Sequence, residues 1–115
     1  MIYYNGENIE DILKGNIVIL DFYADWCGPC KMLGEELEDL SEERRDLKIV
    51  KINTDKYPDL AVKYGVMTIP NVYIYMDGKE INHFAGYKDK AEIITLTNNK
   101  IKGNIPGDNI MEYYK

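Results

Sequence analysis

The run Ile17-Val18-Ile19-Leu20-Asp21-Phe22-Tyr23 constrains this chain more than any other stretch. Apolar side chains fill both of its alternating sets, so a strand here must be covered on both faces. Such a strand belongs inside a sheet layered by helices, which points to α/β architecture. Asp21 is the odd residue. By period two it shares a face with Ile17, Ile19 and Tyr23. Its carboxyl is expected to be buried, and burial raises a carboxyl pKa by disfavouring the charged form.

The next stretch, Trp26-Cys27-Gly28-Pro29-Cys30, holds both cysteines of the chain. Beyond it, Leu33, Leu37 and Leu40 recur at helical spacing, with Glu35, Glu36, Glu38, Asp39, Glu42 and Glu43 on the other side. The pattern reads strand, exposed turn, helix, with a helix from Lys31 to about Arg45. The cysteines stand where the turn becomes the helix. Like charges four apart, such as Glu38 and Glu42, weaken that helix, so packing must hold it.

The flanking segments supply further layers. Ile2-Tyr3-Tyr4 suits a short first strand, and Asn5-Gly6 a turn. Asn8 can cap a short helix carrying Ile9, Ile12 and Leu13 and closed by Gly15. Leu47–Asn53 reads as a strand. Pro58 suits the first turn of a short helix reaching Tyr64 and ended by Gly65. Val72–Met76 is rich in β-formers, Asp77-Gly78 is a hairpin signal, and Lys79–Ala85 should return antiparallel. Asp89 with Glu92 forms a capping-box pattern before a last helix, about Lys90 to Ile101. The order β α β α β α β β α implies a mixed sheet with helices on both faces.

The chain has 115 residues, enough for one domain. Its formal net charge of -6 argues against a broad nucleic-acid-binding face. The first apolar stretch, Ile17 to Leu20, is too short for a signal-peptide core, and no segment approaches a membrane span. The expected address is therefore the cytosol, where paired cysteines are more often reactive or metal-binding than a permanent bridge.

Two cysteines at i and i+3 can meet disulfide geometry on a first helical turn. So short a loop removes little unfolded-state entropy, which makes a structural bridge a weak reading. Zinc needs four ligands, and the chain offers Cys27, Cys30 and the single His83, which is taken as a surface residue. Thiol–disulfide exchange fits best. Cys27, at the helix N-terminus, is assigned as the nucleophile, because unpaired N–H groups there favour a thiolate. Cys30, one turn inside, is assigned as the resolving thiol.

From Asp21 to Met32 the sequence resembles thioredoxins, and the likeness extends from about Ile2 to Ile101. It implies a thioredoxin fold, with a central mixed sheet of about five strands flanked by about four helices. Residues 1–103 would form the domain and 104–115 an extension, packed on it or trailing from it. The resemblance implies that Asp21 lies beneath the resolving cysteine and assists its proton transfer, with Lys51 as its buried partner. It implies a cis proline at Pro70, facing the cysteines, and a glycine bordering the substrate groove at Gly86.

A client would then dock on Trp26, Gly28, Pro29, Ile69, Pro70, Gly86 and Tyr87, its cysteine strand pairing with the backbone of Thr68. The implied function is reduction of protein disulfides at Cys27 and Cys30. No cofactor or metal is expected, because the electrons reside in the two thiols. The implied partners are a thioredoxin reductase and oxidised client proteins, and the protein is expected to be a monomer. Gly-Pro between the cysteines resembles reducing members more than isomerases of the same fold. Some positions depart from the family pattern. Tyr23 stands where many members have tryptophan, Gly34-Glu35 where a small residue and a helix-kinking proline are usual, and Asn71 where threonine is usual; Tyr87 is bulkier than the usual groove residue, and the tail beyond Gly103 exceeds the usual end.

Overall fold

The doubly covered run becomes the central strand of a five-stranded sheet. The computed structural model describes residues 1–98. Its elements are β1 (Ile2–Tyr3), α1 (Ile9–Ile12), β2 (Ile17–Tyr23), α2 (Gly28–Glu43), β3 (Leu47–Asn53), α3 (Pro58–Lys63), β4 (Asn71–Met76), β5 (Lys79–Ala85) and α4 (Lys90–Asn98). The strand order is β1-β3-β2-β4-β5. β1 and β2 run parallel to β3, whereas β4 is antiparallel to β2 and to β5. The crossover helices between parallel strands and the closing hairpin follow from the connection lengths.

Two hydrophobic layers hold the sheet. On one face Ile17, Ile19, Ile49, Val72, Ile74 and Phe84 pack with Leu33, Leu37 and Leu40 of α2 and Ile93 of α4. On the other, Val18, Leu20, Phe22, Val50, Ile52 and Tyr73 pack with Ile9 of α1 and Ala61 of α3. The alternation of β2 between these layers is the reason its apolar run is continuous.

Local signals set the boundaries. Asn8 caps α1 by accepting from the Asp11 N–H at 3.1 Å. That helix ends at Ile12, earlier than Gly15 suggested, and Lys48 Nζ donates to the terminal carbonyls of Ile12 and Lys14. Asp77 and Gly78 both take positive φ, 53° and 81°, as the two-residue hairpin turn requires. Asp89 and Glu92 exchange side-chain bonds to each other's N–H, the reciprocal capping box.

Two expectations shift. α2 begins at Gly28, not Lys31, because Cys27 itself is the N-cap. It ends at Glu43, and it continues through Gly34-Glu35 as one helix. The expected course of α4 to Ile101, the domain boundary at 103 and the extension 104–115 lie wholly or partly outside the described residues.

Candidate active site

The site starts from the end of β2. Ala24-Asp25-Trp26 turns the chain out of the sheet, and the Cys27 N–H closes the turn on the Ala24 carbonyl at 3.2 Å. Pro29 sits in the first turn of α2, where its missing N–H loses nothing. Cys27 as N-cap accepts the Cys30 N–H on Sγ at 3.2 Å. A helix N-terminus offers this sulfur a backbone donor and the positive end of the macrodipole, and the first turn carries no acidic residue to oppose a negative charge there.

Cys27 and Cys30 are joined as a disulfide, with Cα atoms 5.2 Å apart. Cys30 is the more enclosed of the two, 1% exposed against 5%. Ala24, Tyr23 and Ile69 pack around them. Gly28 and Pro29, between the cysteines, are exposed.

Asp21 lies fully buried on the face of β2 that carries Ile17 and Ile19 toward α2. Among the described residues, neither carboxyl oxygen has a hydrogen-bond partner. Burial raises its pKa, the Lys51 ammonium draws part of that shift back, and the carboxyl is left at about 7. Lys51 pairs with Asp21 in register, and its Nζ stands 3.8 Å from Asp21 Oδ2. Lys51 is only 8% exposed, and its charge rests 4.3 Å from the centroid of the Tyr23 ring. Gly34 makes room for this amine, since a Cβ there would come within 3.1 Å of Nζ. A cavity of about 390 Å³, lined by Tyr3, Tyr23, Ala24, Asp25, Cys30, Lys31 and Lys51, opens toward the inner cysteine.

The segment between α3 and β4 faces the motif. Its Ile69–Pro70 bond is cis, as the resemblance implied. Pro70 is buried, Ile69 packs at the cysteines, and the Gly86 N–H donates to the Pro70 carbonyl at 2.8 Å. Gly86 itself has φ 88°. Among the described residues, no hydrogen bond engages the N–H of Thr68 or Ile69 or the carbonyl of Ile69. The Thr68 carbonyl, however, accepts from Asn71 Nδ2 at 3.1 Å. A second cavity of about 390 Å³ runs between this segment and the motif, lined by Trp26, Thr54, Ala61, Val66, Met67, Thr68 and Ile69.

Of the residues singled out in the sequence, Trp26, Thr68 and Ile69 line that groove. Gly86 is tied to Pro70, while Tyr87, exposed, lines neither cavity and stands near Glu36 of α2. Sequence reasoning missed Met67, 91% exposed on the groove, and Asp55, whose Oδ2 accepts the Trp26 indole N–H at 2.9 Å. It also missed that His83 contacts Asn71. None of these carries a local signal. Among the described residues there is no cluster of His, Cys, Asp and Glu that could hold a metal, and no helix is long and apolar enough to cross a membrane.

A family model described as Thioredoxin matches residues 1–99. A thioredoxin of Chlamydia caviae is 43% identical over 94 residues, covering 82% of this chain and 92% of the relative. One of Bacillus subtilis is 46% identical over 83 residues, covering 71% and 80%. Among solved structures, a mutant thioredoxin from Halobacterium salinarum superposes with a TM-score of 0.79 at 34% identity, covering 86% of this chain and 88% of that one. A chloroplastic thioredoxin z gives 0.79 at 32% identity, covering 86% and 92%.

Proposed function

The chain belongs to the thioredoxin family and carries its redox-active cysteine pair as a thiol–disulfide oxidoreductase, and from that premise we propose that it works as a reductase of protein disulfides. The observation that carries the reading is the placement of the pair. Cys27 caps α2 at the more open end and Cys30 lies inside its first turn.

In the proposed cycle the Cys27 thiolate attacks one sulfur of a client disulfide. The other client sulfur leaves as a thiolate and takes a proton. The Cys30 thiol of the mixed disulfide then loses its proton and attacks Cys27 Sγ. This frees the second client thiol and leaves the Cys27–Cys30 disulfide, so two electrons have passed to the client. Asp21 is proposed to receive the Cys30 proton. A carboxyl pKa of about 7 suits a base working near neutral pH, and Lys51 supports its charged form.

Client docking is assigned to the groove beside Ile69-Pro70. Unbonded backbone groups of Thr68 and Ile69 are available to an extended strand, with Trp26 and Met67 as apolar walls. Gly28, Pro29 and Gly86 would leave the approach to Cys27 open, and Tyr87 would border it. A flavin-containing thioredoxin reductase is proposed to restore the dithiol, in a reducing cytosolic setting and with the protein as a monomer. Redox equilibration against glutathione tests the reading. A potential below the glutathione couple is expected, and one above it would make the protein an oxidant.

A further inference from the structure

The β4–β5 hairpin carries an irregularity that the proposed chemistry does not use. Beside the Asp77-Gly78 turn, Met76 faces Lys79 and Tyr75 faces Glu80. The register then slips, so that Ile74 faces Asn82 and Ile81 is left over as a bulge. A one-residue slip reverses the face of every later side chain. It sets Phe84 opposite Val72, in the layer beneath α2 and α4. It sets His83 opposite Tyr73, on the other face. An unbroken register would have placed His83 opposite Val72, in the core.

On this face His83 meets two side chains of β4. Its ring stacks on Tyr73, with centroids 4.1 Å apart and planes inclined by 17°. Its Nε2 lies 2.5 Å from Asn71 Oδ1. Asn71 is 5% exposed, and its Nδ2 donates to the Thr68 carbonyl. The Tyr73 hydroxyl donates to the Tyr64 carbonyl at 2.6 Å. Residues 64–70 connect α3 to β4 and bring Ile69-Pro70 to the cysteines. Both ends of that segment are therefore held by side chains that His83 touches.

The direction of each bond is fixed. A carbonyl only accepts, so Asn71 must turn its NH₂ toward Thr68. Its Oδ1 then faces His83, and Nε2 must donate, which the Nε2–H tautomer and the imidazolium both do. Without that donor the Asn71 amide is held from one side only, by its bond to the Thr68 carbonyl, and the side chain and the segment bonded to it can shift together.

We propose that His83 is a positioning residue for client capture: by locking the Asn71 amide it holds the Thr68–Pro70 backbone in the orientation that pairs with a client strand. The inference rests on the docking reading above.

The test uses reduced full-length protein in single turnovers with excess of a disulfide-linked peptide, or with its analogue N-methylated beside the cysteine. Wild type, His83→Phe (ring kept, donor lost) and His83→Gln (donor kept) are compared by acid quench and mass analysis. Wild type should favour the unmethylated peptide. His83→Phe should raise the half-saturating concentration about fivefold to tenfold, as loss of one hydrogen bond implies. It should also lose the preference for the unmethylated peptide, with limiting rate and reduction potential unchanged, and His83→Gln should restore most of the affinity. If wild type discriminates and His83→Phe matches it, the inference is overturned while docking stands. A His83→Phe effect confined to limiting rate or potential would also overturn it. Equal use of both peptides by wild type would overturn the docking reading and the inference with it.

Discussion

At Asp21 the folded protein holds a proton that the unfolded chain has already released. Its ordinary pKa is 3.8, and burial, partly offset by Lys51, leaves it at about 7. Below about pH 4 both states are protonated and the carboxyl sets no penalty on folding. Between those values unfolding releases the proton, so stability falls as pH rises and levels off above about 7. The full shift corresponds to a loss on the order of 4 kcal/mol. Asp21→Asn should flatten this profile in urea unfolding at pH 5 and pH 8. At pH 8 it should be more stable than wild type by about 1–3 kcal/mol, since a buried unpaired amide still carries a penalty of about that size. A wild type that gains stability from pH 5 to pH 8 would contradict the assignment, unless other carboxylates outweigh Asp21, which the flattened variant would reveal. In the redox cycle the same substitution should slow the Cys30 step more than the Cys27 step, measured by quenched flow of the mixed disulfide. Equal slowing would leave Asp21 a structural residue only.

At the scale of elements, α2 couples the core to the chemistry. Leu37 is fully buried between this helix and the sheet, so Leu37→Ala should lower stability by about 2–5 kcal/mol in urea unfolding. Gly34→Ala has the opposite expectation. Alanine gains up to about 1 kcal/mol of helix propensity, and the obstacle is the tip of Lys51, which has open space beside it. A fall in stability would show that Lys51 cannot yield. The elements that were legible in sequence are those with local signals: the doubly apolar β2, the positive-φ pair Asp77-Gly78 and the capping box of Asp89 and Glu92. The cysteine turn reads with Cys27 at the helix N-terminus, where it stands as N-cap, and only the amphipathic stripe, which begins beyond Cys30, suggests a later start at Lys31. The bulge at Ile81 leaves no mark in the sequence, so the face of His83 could not be read. The local pattern does not separate Lys48 from Lys51 as strand lysines; the family pattern singles out Lys51, and the assembled sheet sets Lys48 at the end of α1 and Lys51 buried beside Asp21. The cis bond before Pro70 was expected from the family pattern alone.

Across the whole molecule, the two-layered core makes a rigid platform from which the cysteine turn and the Ile69-Pro70 segment emerge side by side. The proposed cycle has a direction, in which Cys27 attacks and Cys30 resolves. It is tested most directly by mixing reduced single-cysteine variants with an oxidised client protein and identifying the covalent adducts by mass spectrometry. Cys30→Ser should trap a mixed disulfide through Cys27, stable until a reductant is added, whereas Cys27→Ser should trap little. Adducts forming chiefly through Cys30 in the Cys27→Ser protein, with none in Cys30→Ser, would contradict the account.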